Sequence, residues 1–583
     1  MSRRTPGPAF LLPALALVVS CPADEGGGFS QPEPTPTPSP SPTPAGEARF
    51  DVSAPLIPQD PVAGFDRFVD ETAARGLDID LEYPTTPHEC PEINGNVVAA
   101  DLDGDGDPDL MFHRREGMPR VFENEGGVFT ERVVEGDALA TWGRPAMSWA
   151  AVDLDGDGLP EIAVSGPNLA LVAWNLGGFA FSPFEVVFDD PSYPRSCMNT
   201  QIWGDFDGDG DLDLVLPGTV KVITEGRVFD YWDEEPPPEG MEVTNTLPVV
   251  LMNDGLPFDG PVYLGIVDGR GTTSIVGAAT DRDLDGDVDL LLSSHRPIPP
   301  LPPGTIFRND GPGADGWPAL TNDGADVGVQ FAANGMGMDG ADLNDDGRQD
   351  WCFSDAVHSL VCLMSLGADQ WFEGGLAAGL TTDVTLHPRY DPSEDLWNDW
   401  SGWSVEFQDF DADGELDIAT VAGGSPEMST MSDALWRGLG GGQFEERSVG
   451  SGFSSVRNHF GMAAADFDGD GFRDLVVAPW SGAPMFWSNP PGPGAWVEVE
   501  LRGPAANHQG FGTRVEVVAG GRSRVRELHA LRGLGQSEAK LLFGLGPAET
   551  IDALRVHWLD GSTTEARDLP TRVRVVAYHP AAP

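Results

Sequence analysis

Residues 101–109 read DLDGDGDPD, with an acidic side chain at every second position. Carboxylates packed so closely repel one another, and a divalent cation held among them would relieve that repulsion. Asp101, Asp103 and Asp105 followed by Gly106 match D-x-[DN]-x-[DN]-G, the opening of a calcium loop. Calcium takes about six to eight oxygens at roughly 2.3–2.6 Å, which a tight loop supplies from alternate positions. The fourth carboxylate, Asp109, stands at loop position 9, and position 12 holds no glutamate of the helix–loop–helix type. Val97, Val98, Ala99 and Ala100 before the loop, and Leu110, Met111 and Phe112 after it, read as strands. The unit predicted is a hairpin clipped by a metal ion.

The same nine-residue pattern begins at Asp101, Asp153, Asp205, Asp281, Asp342, Asp409 and Asp466, seven copies in all. Positions 1, 3, 5 and 9 supply the expected ligands. In the first three copies these are Asp101, Asp103, Asp105 and Asp109; Asp153, Asp155, Asp157 and Glu161; and Asp205, Asp207, Asp209 and Asp213. The fourth and fifth copies offer Asp281, Asp283, Asp285 and Asp289, then Asp342, Asn344, Asp346 and Asp350. The last two offer Asp409, Asp411, Asp413 and Asp417, then Asp466, Asp468, Asp470 and Asp474. Substitutions stay within oxygen chemistry, and up to seven calcium ions are expected. Gly stands at position 6 of every copy, and copy five has Asp345 at position 4.

These loops must be placed by strands. The copies start 52, 52, 76, 61, 67 and 57 residues apart, room for four short strands and their turns each time. After each metal hairpin comes an apolar pair and an Asn or Gly turn, as in VFENEGGVF (121–129), LMNDG (251–255), IFRNDG (306–311) and LWRGLGGGQF (435–444). Small residues precede several loops, as in GMAAAD (461–466) and GMDGAD (337–342), which suits strands converging on an axis. The expected fold class is all-β, a seven-bladed propeller with metal-binding hairpin loops and a small all-β domain after it.

These loops resemble the FG-GAP or VCBS repeats of integrin-alpha-like propellers, over roughly residues 64–489. The resemblance implies calcium in the hairpin between the first two strands of each blade. Blade seven runs from MFWSN (485–489) directly into PPGPG (490–494), so it lacks a fourth strand of its own. FDRFVDETAARGL (65–77) is similar to FEERSVGSGF (444–453), the segment after a third strand elsewhere. Residues 65–72 are therefore expected to supply the outer strand of the last blade.

From residue 495 the metal loops cease, and runs such as WVEVEL (496–501) and TRVEVVAGG (513–521) take over. Residues 495–579 hold 11 of the 34 Lys and Arg but only 10 of the 93 Asp and Glu. GFGTRVEVVAGG, LRGLGQSEAKLLFGLG (531–546) and IDALRVHWLDG (551–561) resemble the ASPIC/UnbV domain, which follows such propellers in cartilage-acidic-protein-like bacterial proteins. The usual Trp-Pro-x-Gly of that domain is Trp558-Leu559-Asp560-Gly561 here. The divisions expected are 1–20, a signal peptide; 21–50, a linker; 51–494, the propeller; and 495–583, the ASPIC/UnbV-like domain.

Arg3 and Arg4 precede AFLLPALALVV (9–19), a run with the form of a secretory signal. VVSC (18–21) is similar to a bacterial lipobox, in which Cys21 is lipidated; the alternative is plain cleavage leaving a free Cys21. No later run reaches the roughly 20 apolar residues of a membrane span, so membrane contact is expected only through a lipid anchor. QPEPTPTPSPSPTP (31–44) reads as a stiff spacer. Outside the cytoplasm thiols can oxidise. Cys352 and Cys362 lie on successive strands expected in blade five and form the expected disulfide. Cys90 and Cys197 remain as a second pair or as free thiols.

A formal charge of 34 − 93 = −59, or −45 with seven calcium ions, argues against nucleic acid as a partner, since phosphate binding needs a basic patch. No G-x-S-x-G, H-E-x-x-H or phosphate loop occurs, and no catalytic or organic-cofactor residues are assigned. Two insertions, FDYWDEEPPPEG (229–240) and LHPRYDPSEDLWNDWSGW (386–403), bring aromatics beside acids, suited to a sugar ring or a cationic peptide. Trp403, next to a strand start, reads instead as a wedge between blades. The expectation is an exported or lipid-anchored calcium-binding protein acting in recognition or adhesion, with a protein or glycan partner at the cell surface. The runner-up is a carbohydrate-active enzyme on the same scaffold.

Overall fold

Alternation of buried and exposed side chains is almost lost in the strands that flank the acidic loops. Val97–Ala100, Asp109–Phe112, Ser148–Val152 and Glu161–Gly166 are buried at every residue. A strand covered on both faces belongs inside a stack of sheets, and the computed structural model of the chain has that architecture. It describes residues 48–582 except 59–60, 66, 82–94, 114–117, 135–144, 191–199, 219–221, 225–226, 230–247, 256–257, 264–273, 294–304, 315, 330–334, 356–359, 368–369, 376, 381–401, 424–430, 454 and 481. The signal, Cys21, the Pro-rich spacer, Cys90, Cys197 and most of the two aromatic insertions lie outside the described residues.

Seven antiparallel sheets of four strands follow one another along the chain, each opened by the hairpin that carries an acidic loop. Blade one comprises Val97–Ala100, Asp109–Phe112, Arg120–Glu125 and Val128–Arg132. The ring closes through packing between sheets. Blade one meets blade two through Val98, Met111, Trp149 and Ile162, and it meets blade seven through Val97, Phe112, Ala463 and Phe486. Five further apolar clusters fill the remaining seams in order around the ring.

The last blade is completed from the other end of the chain. Val69–Asp70 pairs antiparallel with Met485–Ser488, joining Val69 to Ser488 and Asp70 to Trp487. The strand is short, and its anchors are aromatic. Phe65 and Phe68 are buried among Phe410, Phe453 and Trp487, and Phe68 meets Phe410 edge to face at 5.4 Å. Two phenylalanines preceding a strand of two residues explain how so little hydrogen bonding closes a large ring.

In blade five, Cys352 and Cys362 face one another directly across adjacent strands and are joined in a disulfide, with Cα atoms 4.0 Å apart. Trp403 is buried, stacks at 4.3 Å on Phe460 and donates its Nε1–H to the Gly423 carbonyl at 2.7 Å, as a wedge between blades.

After the ring come two four-stranded sheets. One contains Ala495–Arg502, Lys540–Gly546 and Val573–Tyr578, the other Arg514–Ala519, Arg522–Glu527, Thr550–His557 and Thr563–Pro570. Val497, Val499, Val515, Val517, Leu541, Leu554 and Val573 share one core. The edge of the first sheet is taken by Phe50–Val52, which pairs with Val573–Tyr578. The expected boundaries put these residues at the junction of linker and propeller. They sit here because an open sheet edge accepts any short extended segment, and Tyr578 donates its hydroxyl to Asp51 at 2.8 Å.

The second departure is larger. Residues 531–537 leave the C-terminal domain and enter the axis of the propeller. Gly535–Gln536 pairs parallel with Val97 and Val98 of blade one, and the Gln536 amide exchanges hydrogen bonds with Ala151 of blade two at 2.9 and 2.6 Å. Thr200 donates to the Gly533 carbonyl, Arg532 pairs with Asp339 of blade five and Glu406 of blade six, and Ala464 of blade seven donates to Ser537. Thr280 of blade four donates to Glu527 just before the segment. Blades one, two, three, five, six and seven therefore hold the plug, and blade four holds the strand that leads into it. A Cβ on Gly535 would fall 1.8 Å from the Met462 carbonyl, so only glycine passes there.

Truncating an anchor of ring closure tests this architecture. Phe68→Ala should lower unfolding stability by about 3–5 kcal/mol, the range for a buried phenylalanine, in one cooperative transition of denaturant unfolding. A loss confined to the N-terminal segment would contradict it.

Candidate metal centres

Each loop is shaped by its position-1 carboxylate. In loop one, Gly104 N–H donates to Asp101 Oδ1 at 2.8 Å and Gly106 N–H to Oδ2 at 2.9 Å. Loops two and three repeat this with Gly156 and Gly158 on Asp153, and Gly208 and Gly210 on Asp205. Position 6 has φ between +83° and +101° in all seven loops, which is why glycine never varies there. Position 4 is also left-handed, but loops four, five and six place Leu284, Asp345 and Ala412 there, at φ 63°, 60° and 55°. In those three loops the first donor moves from position 4 to position 5, namely Asp285, Asp346 and Asp413.

The position-9 carboxylate ties the loop to the blade. Asp109 Oδ2 accepts the N–H of position 2, Leu102, at 2.9 Å, while Oδ1 accepts the N–H of Asn124 on the third strand at 2.8 Å. The third-strand contact recurs in every blade, on Glu161, Asp213, Asp289, Asp350, Asp417 and Asp474.

That third-strand asparagine also reaches across a seam. Asn124 Nδ2 donates to Pro108 O in its own loop and to Phe467 O in loop seven. Asn175 does so to Pro160 and Leu102, Asn309 to Val288 and Phe206, and Asn489 to Arg473 and Phe410. Each amide thus clamps its own loop to that of the preceding blade.

The expected ligands converge, with one difference from the four-carboxylate set. Carboxylate oxygens of positions 1, 3 and 9 lie within 4.8 Å of one another in loops one, two, three and six: Asp101, Asp103, Asp109; Asp153, Asp155, Glu161; Asp205, Asp207, Asp213; Asp409, Asp411, Asp417. In loop four the set is Asp281, Asp283 and Asp285. Position 5 lies outside the sets of the other four, where Asp105, Asp157, Asp209 and Asp413 each accept the N–H of position 7.

Whether these groups fit a cation is decided best at loop seven. Asp466 Oδ1, Asp468 Oδ1 and Asp474 Oδ2 are buried from water and have no hydrogen-bond partner. A buried anionic oxygen left without a donor is costly, and three in one loop could serve as donors to a positive ion. The donors are oxygen throughout, with no His or Cys in the five named clusters, which selects a hard cation.

Burial, more than mutual repulsion, sets the electrostatics. It lifts Asp109, Asp213, Asp289, Glu161 and Asp470 to about 8, and Asp205 and Asp350 to about 7.

The C-terminal domain lies against this acidic face. His508 Nδ1 is 2.8 Å from Asp153, Arg574 is 2.6 Å from Asp466, and Arg522 spans Asp345 and Glu415. Gly156, Gly286 and Gly471 approach Ala505, Leu559 and Trp496.

A ring of seven four-stranded blades, each with an acidic loop between its first two strands, defines a seven-bladed β-propeller. Family models agree: one described as FG-GAP-like repeat matches residues 101–164, 153–216 and 409–477, and one described as ASPIC and UnbV matches 503–583. The chain carries FG-GAP-like repeats followed by a C-terminal ASPIC and UnbV domain. No curated protein matches it. Similar solved structures include an Agrocybe aegerita lectin that recognises non-reducing terminal N-acetylglucosamine, at 16% identity over 66% of this chain and 86% of the other, TM-score 0.39. Another is the V. cholerae biofilm matrix protein Bap1, at 12% identity over 87% and 64%, TM-score 0.30. These distant likenesses carry no functional argument. Among the described residues no helix is long and apolar enough to cross a membrane.

Two outcomes are expected. Asn175→Ala leaves two buried carbonyls, Leu102 O and Pro160 O, without their donor, and should lower unfolding stability by about 2 kcal/mol or more. A change under about 0.5 kcal/mol would show that the clamp is idle. The second concerns pH. The raised carboxyls bind protons more tightly folded than unfolded, where their values are about 4. Their contribution to metal-free stability is full below about pH 4 and is lost as pH rises towards 8. Melting temperature in chelator should therefore fall across that window, while the gap between calcium and chelator curves widens.

Proposed function

We propose that this is an exported recognition protein whose propeller is held in shape by calcium at up to seven loops. The observation that carries the reading is the set of three buried, unpartnered carboxylate oxygens at loop seven, in a fold that repeats the same oxygen-only loop around the ring. Asp and Asn at positions 1 and 3, with the acidic residue of position 9, would hold the ions, and position 5 would contribute in loop four. When bound, calcium neutralises the crowded carboxylates and fixes the hairpin that opens each blade. The role is structural: the position-9 carboxylate of each site is buried, and the C-terminal domain lies over loops two, four, five, six and seven.

Recognition then belongs to the other face. The C-terminal domain covers loops two, four, five, six and seven through Ala505, Leu559, Arg522, Arg524 and Trp496. Blade three leaves Asp213–Leu216 and returns at Val249–Met252, with Leu216 opposite Val249 at the end away from its loop. The described strands on either side of the insertion that contains residues 229–240 thus end at Leu216 and begin again at Val249, away from the acidic loop. A protein or glycan at the cell surface suits the insertion's aromatic and acidic composition. A leader over residues 1–20 and lipidation at Cys21 would deliver the protein there on a Pro-rich spacer.

Thermal unfolding of the full chain in calcium, and then in excess chelator, tests the reading. A site saturated at a hundred times its dissociation constant adds about 2.7 kcal/mol, so several sites should raise the melting temperature by about ten degrees or more. Equal curves in calcium and chelator would refute calcium as the structural ion. Magnesium should restore little, since these loops offer carboxylate sets without the near-octahedral hydration that it retains.

A further inference from the structure

Loop six is also touched by both ends of the chain, but through its backbone, whereas loop seven differs from the other six in what its carboxylates touch. Asp466 turns Oδ2 to Arg574 of the C-terminal domain at 2.6 Å and leaves Oδ1 buried without a partner. Asp468 turns Oδ2 to Arg75 at 2.8 Å, again leaving Oδ1 without one. Arg75 follows the ring-closing strand Val69–Asp70 and also donates to Glu71 and to the Gly127 carbonyl of blade one. Asp474 accepts from Asn489 N–H through Oδ1 and keeps Oδ2 unpartnered. At position 8, Arg473 is buried and pairs with Glu498 and Glu538, both of the C-terminal domain. At position 6, a Cβ on Gly471 would fall 2.0 Å from the fully buried ring of Trp496. Loop three is the opposite case, since nothing lies within 4 Å of a Cβ placed on Gly208 or Gly210.

We propose that loop seven is a lock: one divalent cation among Asp466, Asp468 and Asp474 fastens the ring-closing N-terminal strand and the C-terminal domain to the propeller together. This rests on the calcium reading above and goes beyond it, because it makes one site unequal to the rest. The two aspartates each divide their oxygens between the cation and an arginine from a different part of the chain. A bound cation neutralises the repulsion among the three carboxylates and fixes Asp466 and Asp468 in the orientation that both arginines need. Without it, the arginines hold only the outward oxygens of mutually repelling anions. Linkage is reciprocal: if the cation strengthens the docking of both segments, their docking strengthens cation binding at this loop by the same factor.

The test uses the full chain, with bound calcium counted by native mass spectrometry and backbone hydrogen exchange followed at graded free calcium. Three proteins are compared: the wild type, Asp468→Asn in loop seven, and Asp207→Asn at the same position of loop three. Each variant should lose one calcium. Asp468→Asn should speed exchange at least tenfold in both Val69–Asp70 and Val573–Tyr578 and red-shift Trp496 emission, whereas Asp207→Asn should affect only its own blade. Because Asp468→Asn also removes a partner of Arg75, the wild-type titration is the second measurement: the two segments should gain protection with one common calcium midpoint. Separate midpoints, or the same pattern in both variants, would overturn the lock while leaving the calcium reading intact. A wild type that binds no calcium would overturn both.

Discussion

A carboxylate buried at the ninth position of each loop is the constraint on which the ring depends. It opens the second strand of the blade, reaches the third strand with one oxygen and, in the first six loops, takes the N–H of loop position 2 with the other, as Asp109 does to Asn124 and Leu102. Three strands are thereby held in register by one side chain that is 1% exposed. The same burial makes the charge expensive. The fold therefore creates its own demand for a proton or a cation, and a dense acidic loop is the local answer, because neighbouring carboxylates raise cation affinity as fast as they raise repulsion.

A second demand arises at the axis. The inner strand of each blade is an edge strand whose unpaired carbonyl and N–H groups need partners, at a place where backbones approach closely. The segment around Gly533 and Gly535 meets both conditions, because glycines let its backbone run against strands and Gln536 and Ser537 supply donors and acceptors. Asp339 and Glu406 are each 1% exposed and find Arg532 there. Removing one partner of a buried ion pair costs about 3–5 kcal/mol, so propeller and C-terminal domain are parts of one folding unit rather than two that happen to touch. The single compact body from Gly46 onward is consistent with that.

What the amino-acid sequence discloses follows from the range of each interaction. The seven loops are legible because their determinants lie within nine residues, with glycine at position 6 read off a backbone rule. The number of blades follows from counting them, and ring closure from the missing strand after residue 489. The axial plug was hidden. LRGLGQS (531–537) has no periodicity, and its partners are scattered along the chain from Val97 to Ala464. The clamp asparagines were half visible: Asn124 and Asn309, expected in turns, stand in the latter halves of the third strands that lead into them, and nothing local reveals that their amides reach the preceding blade. Phe50–Val52 is too short to declare which sheet it joins.

The clamps also show how the ring and the C-terminal domain depend on one another. Blade six has Gly438 where four other blades have the clamp asparagine, and a Cβ there would fall 2.3 Å from the Leu416 carbonyl, so no side chain can reach loop five from that position. Across the same seam, Arg522 of the C-terminal domain joins Asp345 of loop five to Glu415 of loop six. Arg522 and Asp345 are 37% and 39% exposed, and a pair so accessible contributes about 0–1 kcal/mol, less than a buried amide with two acceptors. Loops five and six are thus joined to each other from outside the ring, by a residue of the C-terminal domain, while the strands beneath them are held by their own apolar cluster and by Phe407 N–H on Asp339. Docking in turn requires the plug to find its partners on six blades in place. The ring completes the seat for the domain, and the domain supplies at one seam the link that the ring's own sequence omits.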